Sequence, residues 1–258
     1  MKEEEEGSLG QTTQATPPPT GPSWRRLLIV GSVAVAVAIA GLLVVIGELI
    51  PPLIVIAVLL LVGAALARHG KAGVIIAGVA ALFFIVSSAP FVVETVTFPA
   101  STTDFVINLV SLAGALVILV AAIAILRSKG HEAPSPAAKT FGTITLAVVV
   151  AGTLFSVGAR LTREDPLGHQ GDLDVRAEDT EFAPTKLEAS GSEVAIFIEN
   201  KDLTAHTFTI DELEVDEGIP GGGSARVVAS AEAGTYEYYC AVTGHEDMKG
   251  TLTVGTTF

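Results

Sequence analysis

Five apolar runs free of charged residues, at 27–46, 53–67, 74–93, 105–126 and 141–159, constrain the fold of this 258-residue chain more than any other feature. About twenty apolar residues are needed for a helix to cross the hydrocarbon core of a bilayer, and an isolated shorter run can be a buried helix of a water-soluble protein. Five in succession, without amphipathic periodicity, are explained by lipid. The sequence therefore predicts a membrane helical region over 24–160 with about five transmembrane helices, the second (53–67) at the short end of the range. Arg25-Arg26 ahead of the first run would also suit a secretion signal, but the run is longer than a signal core and further spans follow it.

Orientation follows from Lys and Arg in alternate loops. One side collects Lys2, Arg25, Arg26, Arg68, Lys71, Arg127, Lys129 and Lys139, and the other only Arg160 and Arg163. This places the N-terminus in the cytoplasm and, with five spans, the C-terminal region outside the cell membrane. Residues 1–23, rich in Glu, Pro, Thr and Gln, cannot bury enough apolar area to offset the entropy of ordering and are expected to form a disordered cytoplasmic tail. Glu48, Glu94 and Asp104 fall at helix ends, where solvation is the expected state.

After a polar linker at 161–171, which contains His169, the pattern changes to short alternating segments: 173–177, 186–189, 193–199, 206–210, 225–229, 235–240 and 251–254. Val194, Ile196 and Ile198 show the period of a strand with one face in a core, and several such strands predict an all-β sandwich or barrel. Gly221-Gly222-Gly223 reads as a turn, since no helix follows that would make it a phosphate loop.

The only cysteine, Cys240, is followed by His245 and Met248. A thiolate, an imidazole and a thioether form a soft donor set that favours copper over magnesium or calcium. A trigonal copper site needs a second histidine from a distant strand. His206, at a strand start after the turn-rich Asn200-Lys201-Asp202, is the candidate. Zinc would prefer four strong bonds to a thioether, and a binuclear copper site would need a second thiolate that the chain lacks.

These residues, with Phe182-Ala183-Pro184, Gly191, Asn200-x5-His206, Ala233-Gly234 ahead of Thr235–Cys240, and Gly250–Val254, resemble the cupredoxin family of type 1 blue copper proteins, to which plastocyanin and azurin belong. The resemblance covers 172–258. It implies a Greek-key sandwich binding one copper ion through His206, Cys240, His245 and Met248, with the ring of His245 exposed as the electron route. The His-to-Met arm is shorter than in many members.

Residues 164–258 carry twenty Asp and Glu against five Lys and Arg. Such a domain excludes nucleic acid as a partner and would be steered to a basic redox protein, with Asp211–Glu217 as the acidic patch. The reading is an electron carrier, not an enzyme. The alternative is a copper-handling membrane protein whose metal is cargo, and a third reading is a cupredoxin fold without metal. A reversible one-electron couple favours the first, ready loss of Cu(I) the second, and absence of thiolate-to-copper absorption the third.

Overall fold

The computed structural model describes residues 21–128 and 134–255. Residues 1–20 of the tail expected at 1–23, together with Lys129, lie outside the described residues. Six helices come first: α1 (Trp24–Ile46), α2 (Pro51–Ala67), α3 (Lys71–Ser87), α4 (Ala89–Thr97), α5 (Thr102–Arg127) and α6 (Pro136–Thr162). The Ser23 side chain caps α1 by accepting the Arg26 amide at 3.2 Å, and Gly47, in the left-handed region at φ 77°, terminates it.

The expected third span, 74–93, is not one straight helix. It breaks after Ser87, and α3 and α4 meet at a 60° bend. Pro90 in the first turn of α4 accounts for the break, because proline is tolerated in a first turn and not in a helix interior. By length and composition α1, α5 and α6 can each cross a membrane, and the bent pair makes a fourth if counted as one span. The 17-residue α2 is about 25 Å long, somewhat short of a bilayer core.

Small residues let these helices approach closely. A Cβ on Gly63 would stand 2.7 Å from the Ala77 nitrogen, and one on Gly114 would stand 2.6 Å from Val35. Half of the apolar window of α5 is buried, against 6% of that of α6, so α5 is central and α6 peripheral. Val30, Val37, Val44, Val79 and Leu146 point outward, as lipid-facing residues would.

Among the described residues nine strands follow: β1 (Leu173–Glu178), β2 (Glu181–Ala183), β3 (Lys186–Ser190), β4 (Glu193–Asn200), β5 (His206–Ile210), β6 (Val215–Ile219), β7 (Ser224–Ser230), β8 (Gly234–Tyr239) and β9 (Lys249–Gly255). They form two sheets, β2-β1-β4-β7 and β3-β9-β8-β5-β6. Pairing is antiparallel except for β1 with β4 and β3 with β9. The alternation in the sequence has its expected meaning: Val194, Ile196 and Ile198 of β4 and Gly250, Leu252 and Val254 of β9 are buried between the sheets.

Three rings fill the centre of the sandwich. Phe182, Phe208 and Tyr238 lie with centroids 5.0–5.7 Å apart, and the Tyr238 hydroxyl donates to the Pro184 carbonyl at 2.7 Å. Gly250 is required beside them, since a Cβ there would stand 2.3 Å from the Tyr238 ring.

The segment between α6 and β1 is shorter than the expected 161–171, because α6 continues to Thr162. It lies along the sandwich rather than hanging free. Ser224 donates its hydroxyl to the Pro166 carbonyl at 2.7 Å, and the Asp172 carboxylate receives a bidentate fork from Arg226 at 2.8 Å on each arm.

Candidate metal centre

His206 opens β5, and Cys240 follows the last residue of β8. The pairing of Thr209 with Tyr239 makes these strands neighbours, so residues far apart in sequence meet at one end of the sandwich. His245 and Met248 belong to the loop between β8 and β9. That loop is closed by its own backbone, with His245 N–H donating to Val242, Met248 N–H to His245 and Cys240 N–H to Met248, at 2.9–3.0 Å.

The donor atoms converge. His206 Nδ1 and His245 Nδ1 are 3.2 Å apart, and Cys240 Sγ lies 3.8 Å from the first and 3.5 Å from the second. A triangle with these sides has a circumscribed radius of about 2.0 Å, the length of a bond from a transition metal to imidazole nitrogen. Among the described residues this is the one group of three His, Cys, Asp or Glu side chains able to hold a metal ion. Cys240 and Met248 are buried, at 3% and 1% exposure, and Met248 packs in the sandwich core.

Hydrogen bonds around the triad prepare it for a metal. His206 Nε2 lies 2.8 Å from Asp202 Oδ2. A carboxylate only accepts, so the ring proton sits on Nε2 and the Nδ1 lone pair faces the other donors. Burial acts to raise the Asp202 carboxyl, but the amides of Asp179 and Thr180 and the His206 ring outweigh it and hold it below the usual range. Burial pushes His206 below its ordinary value against the pull of Asp202, so its ring is neutral at neutral pH.

His245 is also lowered, first by burial and then by the charge of His206, with Asp104, Asp202 and Glu246 acting in the opposite sense. Cys240 Sγ accepts the Thr207 amide at 3.3 Å, a contact that stabilises a thiolate. Asn200, 1% exposed, fixes the approach to His206 by donating its amide to the carbonyls of Thr204, Ile219 and Pro220 at 2.8–3.2 Å.

The predicted triad His206, Cys240 and His245 thus meets in space, with Met248 close by on the same loop. His245 is half-buried, not the open ring that the resemblance implies. Asp104 also departs from expectation. Rather than a solvated helix end, it accepts the Ala205 amide at 2.7 Å, next to His206. The reading of the sequence missed Asp202, although its position four residues before His206 was a usable signal.

The family model for the cupredoxin-like domain matches residues 116–254, more than half of the chain, from within α5 through α6 to β9. The chain belongs to the cupredoxin-like family. Solved structures similar to this chain include a methionine-to-alanine variant of amicyanin with Cu(I), at 17% identity and a TM-score of 0.30, covering 36% of this chain and 94% of that one. Auracyanin B is similar at 23% identity and a TM-score of 0.29, covering 35% and 93%. No curated protein matches the chain.

Proposed function

We propose that this protein is a membrane-anchored type 1 copper protein that carries single electrons on the extracytoplasmic side of the cell membrane. The observation that carries the reading is the convergence of two imidazole nitrogens and one thiolate sulfur around a point about 2.0 Å from all three. Copper, which His206, Cys240, His245 and Met248 would hold, would supply a one-electron couple. The chain's part is to hold those donors still. Burial keeps both rings neutral, Asp202 orients His206, and the Thr207 amide holds the sulfur, so little would rearrange when the charge of the centre changes.

The placement outside the cytoplasm draws support from the two ends of the helical region. Ser135 N–H donates to Pro22 at the end that carries Arg25, Arg26 and Lys139, whereas the end of α6, Phe98 of the α4–α5 loop and Asp104 of α5 touch the sandwich. A cytoplasmic positive side therefore leaves the sandwich on the opposite face. Acidic residues of β6 and the single 3-10 turn before it, Asp211, Glu212, Asp216 and Glu217, give a basic redox protein its docking face. The protein is a carrier and not an enzyme in this reading.

The test is optical and magnetic spectroscopy of the full chain after addition of Cu(II), with Cys240→Ser as control. An intense visible charge-transfer band in the wild type, lost in Cys240→Ser, together with a reversible one-electron couple, is the expected result. Equal absence of colour in both proteins refutes copper–thiolate ligation. A band that bleaches with release of Cu(I) to an acceptor points instead to copper handling.

A further inference from the structure

The helical half contributes to the metal end of the sandwich through the first turn of α5 and the loop before it. Asp104 Oδ2 accepts the Ala205 amide at 2.7 Å and the Ser101 hydroxyl at 2.6 Å. Ala205 is covalently joined to His206, so the carboxylate of Asp104 lies one residue from a candidate ligand.

Neighbouring contacts hold the loop in place. The Phe98 ring lies against Gly218, where a Cβ would stand 2.9 Å from it. The Arg163 guanidinium sits 5.7 Å above that ring and donates to the Gly218 carbonyl at 3.3 Å. Ser156 of α6 donates to the Pro99 carbonyl at 2.7 Å. Gly218 in turn pairs with Thr207, the residue whose amide reaches Cys240, so both anchor points fall beside the ligand segment.

We infer that Asp104 is a positioning residue of the metal centre, supplied by the membrane half: its carboxylate holds the Ala205–His206 segment in place and sets a negative charge one residue from a candidate ligand, which favours the oxidised state. This rests on the reading of the site as a redox copper centre. The Ser101 hydroxyl and the Ala205 amide both donate to Oδ2, an arrangement that favours the ionised carboxylate. A nearby anion stabilises the more positive of two oxidation states, and does so more strongly where water is partly excluded. Removing it raises the potential. The expected size is on the order of a tenfold change in the oxidised-to-reduced ratio at fixed poise, ~59 mV for one electron.

The experiment uses the copper-loaded full chain in lipid nanodiscs, with the thiolate band followed through a redox titration. Asp104→Asn is expected to shift the midpoint positively by about that amount. Asp104→Glu should stay near the wild type, and Glu48→Gln, which removes an exposed carboxylate elsewhere, should not move it. A second readout needs no metal. Hydrogen exchange at the Ala205 amide should accelerate roughly tenfold or more in Asp104→Ala, while β9 amides keep their protection.

An unchanged midpoint in Asp104→Asn overturns the electrostatic role, unchanged exchange overturns the positioning role, and either overturns the proposal. Absence of a copper–thiolate band in the wild type would instead defeat the copper reading, and the exchange measurement would still decide whether Asp104 positions the segment.

Discussion

Met248 separates packing from ligation at a single side chain. It is 1% exposed, so Met248→Ala should cost about 2–5 kcal/mol through the cavity it leaves, whereas Met248→Leu, close in volume, should cost less than about 1.5 kcal/mol. If the thioether occupies the axial position, Met248→Leu shifts the potential and the visible spectrum while the thermal midpoint barely moves. Redox titration and calorimetry on the same sample check this. Asn200→Ala acts differently, leaving the carbonyls of Thr204, Ile219 and Pro220 short of a donor. A loss of about 1–3 kcal/mol in urea unfolding is expected. His206, Cys240 and His245 were legible in the sequence because soft donors are scarce in this chain and their spacing fits a strand and a turn. Asp104 was not, because its partner Ala205 is 101 residues away and nothing local marks the pairing.

At the scale of the element, alternation identified seven strands and missed two. β6 is hidden by its composition: Asp216 and Glu217 read as part of a solvated turn, yet β6 lies at the edge of its sheet, where charged residues are tolerated and discourage pairing with other chains. β2 has three residues, too few to show a period. The break between α3 and α4 was signalled by Pro90, inside a stretch whose apolar character alone suggested continuity. The segment leading into β1 supplies a prediction of its own. The Arg226 fork, followed by the His169 amide, lowers the Asp172 carboxyl from 3.8 to about 2. A group depressed in the folded state contributes stability above its unfolded value and loses it as pH falls through the folded one. This contribution should be complete above about pH 4 and disappear toward pH 2. Thermal midpoints across that window should fall less steeply in Arg226→Ala than in the wild type, from a lower plateau.

For the whole molecule, the charge asymmetry makes a topological prediction. Protease added to intact cells should remove the sandwich and leave the loop around Arg68 and Lys71 protected, and the reverse pattern would invert the orientation. The helical part and the sandwich were separable in the sequence because their hydrophobic patterns differ in kind. The number of crossings was less legible, since run length does not reveal a bend. The position of β9 also bears on how the protein is made. It lies between β3 and β8, inside its sheet, although it is translated after the other described strands, and Met248 immediately precedes it. If the sandwich folds outside the cytoplasm, as proposed, the sheet stays open and His206 waits without His245 or Met248 until that strand has crossed the membrane. On that reading a nascent chain on the ribosome would have no complete chelate with which to capture cytoplasmic metal, and maturation of the centre would follow translocation.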